Sequence, residues 1–135
     1  MSEVGVVPLV LVVDDYTDNR EMISELLVGV GLRVVEARDG VEALERAAAL
    51  RPALILLDVA LPRVDGWEVA RRLRADPSLP AVRILAVTGN TQVDVQACAR
   101  AAGCDGMMTK PFGPEALLAT VNAWVGSARL APAEP

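Results

Sequence analysis

The chain has 135 residues and a mass of 14.3 kDa, with 53% hydrophobic and 23% charged residues, which fits one domain with its own core and excludes a disordered chain. A net charge of −5 and an isoelectric point of about 4.7 leave no basic footprint for nucleic acid, and the acidic residues form no tail. Histidine is absent, which excludes zinc fingers, histidine-based triads and a histidine phosphoacceptor, while Cys98 and Cys104 form no CxxC pair and read as two small buried thiols.

Aromatic residues make up only 3%, so the core must be built from Val, Leu, Ile and Ala. The apolar run Val6 to Val13 is not read as a leader: Glu3 precedes it, Pro8 interrupts it and Asp14-Asp15 end it. No segment approaches the roughly 20 apolar residues of a membrane span. The expectation is a soluble, cytoplasmic protein.

The first predicted strand is Leu9 to Val13, a continuous apolar run of the kind buried on both faces of a parallel sheet. A helix comes next over roughly Asp18 to Val28, with Met22, Ile23, Leu26 and Leu27 inward and Gly29 and Gly31 ending it. A short strand, Leu32 to Ala37, leads to a helix over Gly40 to Leu50 with Val41, Leu44, Ala47 and Ala48 inward. The third strand, Ala53 to Asp58, is apolar up to its last residue. Trp67, Ala70 and Leu73 mark the next helix, which Asp76-Pro77 breaks. Val82 to Thr88 is a strand, and Val93, Ala97 and Ala101 give the inner face of a fourth helix ended by Gly103. A weak strand, Gly106 to Thr109, precedes Lys110-Pro111. The last helix has Pro114 in its first turn and Leu117, Leu118, Val121 and Val125 inward. The small-residue stretch Gly126 to Pro135 reads as a frayed end or a linker. Five strands alternating with five helices imply βαβ units, hence a parallel sheet covered on both faces.

In such sheets ligands sit beyond the carboxyl ends of the strands. Asp14-Asp15, Asp58, Thr88 and Lys110 all stand there. Three close carboxylates stay ionised only beside cations, and an oxygen-only donor set favours Mg²⁺. Thr88 offers a hydroxyl and Lys110, the only lysine in the chain, a point charge to a phosphate. A carboxylate beside Mg²⁺ can itself act as nucleophile and form an aspartyl phosphate. A bare salt bridge from Lys110 to Asp58 would require neither the aspartate pair nor the threonine.

VVDD, LLDVALP followed by Asp65-Gly66, LAVTG and TKPF, in this order at strand ends, resemble the receiver domain of two-component response regulators over about Pro8 to Val125. DDYTDNREM is most similar to receivers of hybrid kinases and small single-domain regulators. The resemblance implies a flavodoxin-like, doubly wound α/β fold: a five-stranded parallel sheet in the order 2-1-3-4-5 between two layers made by five helices. It implies a receiver domain over 8–126, with short extensions at 1–7 and 127–135. It implies Asp58 as phosphoacceptor and Mg²⁺ held by Asp14 (directly or through water), Asp15, Asp58 and the backbone carbonyl of Ala60. Thr88 and Lys110 would hold phosphoryl oxygens, and the Lys110-Pro111 peptide is a candidate cis bond. The donor would be a phosphohistidine on a histidine kinase or phosphotransfer protein. A downstream protein would read the face of the fourth helix, fifth strand and fifth helix, with neither nucleic acid nor membrane as partner.

Four positions depart from the pattern. Met107 replaces the family's aromatic switch residue and has no ring to swing behind Thr88. Ala60 and Asn90 flank the acceptor, and Gly89 comes after Thr88 where Ala or Ser is commoner. The alternative readings are a pseudo-receiver that binds without phosphate and a Mg²⁺-dependent aspartate-nucleophile phosphohydrolase; the latter lacks its usual second carboxylate, since Ala60 stands there. Of the other charged residues, Arg71, Arg72 and Arg74 read as a solvated helix face, and Arg20 as pairing with Asp18 or Glu21. Trp67 reads as packed under the sheet and Trp124 as partly exposed.

Overall fold

The computed structural model describes residues 7–60, 65–79, 82–89 and 93–133. The elements are β1 (Leu9–Val13), α1 (Thr17–Gly29), β2 (Arg33–Ala37), α2 (Gly40–Leu50), β3 (Leu54–Asp58), α3 (Gly66–Ala75), β4 (Arg83–Thr88), α4 (Val93–Ala101), β5 (Gly106–Thr109) and α5 (Pro114–Ala133). All strand pairs are parallel and the order is β2-β1-β3-β4-β5, the flavodoxin-like order expected. Among the described residues no helix is long and apolar enough to cross a membrane.

The continuous apolar strands divide their side chains between two cores because successive residues point to opposite faces. Val10 and Val12 join Leu54, Leu56 and Leu85 against Ile23 and Leu27 of α1 and Leu117, Val121 and Val125 of α5. Leu11 and Val13 join Ile55, Leu57 and Ile84 against Ala43 and Ala47 of α2 and Val69, Ala70 and Leu73 of α3. Each fully buried Leu or Ile contributes roughly 2 kcal/mol, so the cores hold the strand ends in place. Trp67 packs against the second core as expected. Trp124 is half-buried on the first, beneath the Arg83 guanidinium at 5.6 Å.

The helix phases depart from the sequence reading. Met22, Val41, Ala48, Ala97 and Ala101 face solvent. Ala47 is buried and Leu44 half-buried as expected, but the other buried alanine of α2 is Ala43, and among the described side chains of α4 the buried one is Ala99, with Ala102 just beyond the helix. Both helices are rich in alanine, which is too small to mark one stripe over another. In α2 the start is set locally, by the Asp39 carboxylate accepting from Glu42 N at 2.9 Å. Cys98 is exposed and Cys104 only half-buried, and both are free thiols, so the expectation of two buried thiols is corrected. Burial, with Asp105 adding to it, pushes the Cys104 thiol up to about 11. α5 runs to Ala133, through much of the stretch Gly126 to Pro135 that reads as a frayed end or a linker.

The arginine cluster also divides. Arg71 and Arg72 pair with Glu68 on the exposed face of α3. Arg74 turns inward and donates to the carbonyls of Gly103 and Val82, each at 2.9 Å, and to Asp105. Asp105 in turn accepts from Ile84 N at 2.8 Å. Gly103, at φ +90°, lets the arginine stem lie against the chain, where a Cβ would come within 2.8 Å of Arg74 Cγ.

Gly66 opens α3 directly against the segment after β3. A Cβ there would lie 2.3 Å from Val59 Cα and 2.7 Å from its oxygen, both backbone atoms. Gly66→Ala is therefore expected to destabilise the fold by roughly 1–3 kcal/mol. Gly89→Ala, with nothing within 4 Å of its Cβ, should change stability by less than about 0.5 kcal/mol. Urea unfolding midpoints of the two variants check this pair.

Candidate functional site

β1, β3, β4 and β5 end at one edge of the sheet, and backbone bonds just past the strands fix the residues there. Asp14 N donates to Ala37 O at 3.1 Å, Val59 N to Val87 O at 3.1 Å and Lys110 N to Thr88 O at 2.8 Å. The last of these ties the lysine backbone to the threonine. The Lys110-Pro111 peptide is cis, as expected.

These anchors bring the sequence candidates together. Carboxylate oxygens of Asp14, Asp15 and Asp58 all lie within 4.8 Å of one another. Asp14, Asp58 and Thr88 are buried, while Asp15 is exposed and opens the group to solvent. Lys110 Nζ donates to Asp58 Oδ2 at 3.1 Å and stands 3.8 Å from Asp14 Oδ2. The other oxygen of Asp58 accepts from Ala60 N at 2.9 Å. Asp14 Oδ1 accepts from Tyr16 N at 2.9 Å, a local turn that also starts α1, and Asp14 Oδ2 accepts from the Asn19 side-chain amide.

Burial holds the Asp14 carboxyl above its ordinary value of 3.8; the Asp58 charge adds to the rise, and the hydrogen bonds from Tyr16 and Asn19 and the Lys110 charge oppose it. Three carboxylates and one ammonium leave a formal charge of −2. The donors are hard oxygens with no sulfur or imidazole among them, and they suit a divalent ion of the Mg²⁺ kind.

Met107 is half-buried on β5, opposite Ala86, and borders a shallow groove with Gln96, Ala99, Arg100 and Cys104. Asn90 lies outside the described residues. Arg20 does not pair with Asp18 or Glu21: its Nε donates to Glu36 Oε1 at 2.8 Å and its Nη1 to the Asp14 carbonyl at 2.9 Å. Glu36 comes from β2, which the sheet order sets beside β1. Asn19 is absent from the residues that the sequence singles out. The available signal is its place in the first turn of α1, from which side chains lean back toward the helix start and therefore toward Asp14.

A family model described as the response regulator receiver domain matches residues 10–122. The chain belongs to this family. Among receiver relatives, the polar-differentiation response regulator DivK of Brucella anthropi is 32% identical over 119 residues, which is 88% of this chain and 97% of DivK. Response regulator MprA of Mycobacterium ulcerans is 42% identical over 90% of this chain and 51% of MprA, so the chain spans about half of that protein. Of solved structures, chemotaxis protein CheY4 of Vibrio cholerae has a TM-score of 0.83 at 35% identity, covering 87% of this chain and 98% of that one. The receiver domain of a Pseudomonas aeruginosa sensor histidine kinase has a TM-score of 0.80 at 33% identity, covering 89% and 98%, and is described with a magnesium ion coordinated in its active-site cleft. The acidic cluster of the present receiver offers a donor set of the kind such an ion takes.

The raised Asp14 value has a measurable consequence. The folded receiver binds that proton more tightly than the unfolded chain does, so the ionised carboxylate lowers stability at neutral pH and the effect fades as pH falls through the raised value. Asp14→Asn keeps the shape and removes the charge. Without divalent ions it should be more stable than the parent by about 1 kcal/mol at pH 7, with the difference shrinking in acid. Urea unfolding in a chelator at several pH values checks both the sign and the trend.

Proposed function

We propose that this receiver accepts a phosphoryl group on Asp58, with Mg²⁺, and thereby switches a protein-binding surface. The observation that carries the reading is the convergence of Lys110 Nζ, 3.1 Å from Asp58 Oδ2, with three carboxylates grouped within 4.8 Å. Asp14, Asp15, Asp58 and the carbonyl of Ala60 would hold the ion. When bound, Mg²⁺ supplies positive charge against the oxygens of the PO₃ unit as it transfers.

On this reading an oxygen of Asp58 forms the new O–P bond while the P–N bond of a phosphohistidine breaks. The electron pair leaves with the imidazole, which takes up a proton. Lys110 exchanges its contact with Asp58 for one with a phosphoryl oxygen, and the Thr88 hydroxyl donates to another. The donor is a histidine kinase or phosphotransfer protein, since these 135 residues contain no histidine. The phosphorylated form favours one of two surface arrangements, and a partner protein binds the face built by α4, β5 and α5. The domain is a cytoplasmic signalling module whose only chemistry is its own phosphorylation and dephosphorylation.

Incubation with a small acyl phosphate and Mg²⁺ should add one PO₃H unit, seen by intact mass. Asp58→Asn and chelation should each abolish the adduct, and Lys110→Ala should slow its formation by roughly 10²–10³-fold. A parent chain that binds Mg²⁺ yet never gains the adduct would instead be a binding module.

A further inference from the structure

We infer that the neighbouring residues Asn19 and Arg20 are positioning residues for the divalent-ion site, Asn19 holding the Asp14 carboxylate and Arg20 holding the Asp14 carbonyl. The inference rests on the metal-dependent reading above and says what sets the ion affinity within it.

All acceptor groups of Asp14 are engaged from α1 or its entry. Oδ1 takes Tyr16 N–H at 2.9 Å, Oδ2 takes the Asn19 amide, and the carbonyl takes Arg20 Nη1 at 2.9 Å. Arg20 is itself fixed. Its side chain is 13% exposed, and its Nε is held by Glu36 at 2.8 Å. The carbonyl of Glu36 accepts from Arg46 of α2. With Glu36 balancing its charge, Arg20 acts by geometry more than by field.

A carboxylate oxygen can accept twice. Asn19 occupies one direction on Oδ2 and leaves the second for the ion or an ion-bound water. The amide also prevents a competing arrangement. Lys110 Nζ stands only 3.8 Å from the same oxygen. A released Asp14 side chain can close that gap into a direct ion pair, which would draw both the carboxylate and the ammonium away from the ion and the phosphoryl position. Asn19 is neutral and so restrains the carboxylate without adding to the charge of the site.

The test uses the full chain and Mg²⁺ alone, titrated by NMR. Asn19→Leu keeps the branched shape, is larger and a better helix former than Asn, and removes the donor. It should raise the Mg²⁺ Kd by about 10-fold or more, while the urea midpoint in chelator is not lowered. Arg20→Lys can reach the Asp14 carbonyl or Glu36 but not both, and should give a Kd between that of the parent and that of Arg20→Ala. In the parent, the Asn19 side-chain amide signals should shift as Mg²⁺ saturates. This readout needs no variant to fold. A folded Asn19→Leu chain with parental Mg²⁺ affinity overturns the inference, as do Asn19 amide signals unmoved by Mg²⁺ while Asp14 and Asp58 amides shift. A parent chain that binds no Mg²⁺ at all sinks the broader metal-dependent reading instead, so the two failures are told apart.

Discussion

Repulsion among three carboxylates governs this molecule. Asp14 and Asp58 are buried, Asp15 is beside them, and one ammonium is at hand. Such a group is unfavourable in a low-dielectric setting and holds together only because the sheet forces it to. The force comes from the two apolar cores, which fix the ends of β1 and β3 side by side whatever residues stand beyond them. Asp14 and Asp58 are then positioned by backbone and by short local turns, through Tyr16 N and Ala60 N, and have no freedom to separate. On the metal-dependent reading proposed above, this repulsion is what a divalent cation would relieve.

The choice of lysine at position 110 has its reason in the same arrangement. One oxygen of Asp58 is already taken by Ala60 N, and the other meets Nζ. A planar guanidinium would seek both oxygens at once and would be harder to detach. An ammonium on a flexible stem makes one contact and can leave it for another oxygen nearby. Its stem starts from a backbone whose N–H is tied to Thr88 O, so the two side chains proposed to meet a phosphoryl group are held as a unit.

Much of this was legible in the sequence, for a physical reason. In a sheet covered on both faces the central strands carry long apolar runs, as LVLVV in β1, LILL in β3 and ILAV in β4 do, so the polar residue that closes each run marks the strand end and the functional edge together. That is why Asp14, Asp58 and Thr88 could be placed in advance, while Lys110 stood out as the only lysine in the chain. What was hidden lay in helix phase and in long-range polar contacts. The alanines of α2 and α4 do not distinguish one stripe from the next. Arg20 reads as a partner of Asp18 or Glu21 because those are near in sequence. Its real acceptors depend on β2 returning beside β1, which only the strand order supplies. Arg74 is the same case, since its acceptors at Val82, Gly103 and Asp105 converge only after the chain has crossed the sheet.

The two sides of the site differ in how firmly they are held. On the α1 side, Asn19 and Arg20 bind Asp14 directly, and the long side chains of Ile23 and Leu27 fill the core behind them. On the α4 side, the buried contacts among the described side chains are Ala99 and Ala102, Gly89 has open space around its Cβ, and Met107 is half-buried beside a groove. Small side chains make few dispersion contacts, so moving α4 costs less than moving α1. Beyond α4, the Arg74–Asp105 contacts pin the start of β4 and the approach to β5. On the proposed phosphorylation of Asp58, the change of charge would meet the better-packed side at α1 and the less well-packed one at α4, so the proposed rearrangement would run through Thr88 into α4. Without an aromatic ring, Met107 gives that movement no second fixed position. Its flexible side chain can instead follow α4 continuously, and the two surface arrangements would then differ by how α4 packs and not by a ring that is in or out.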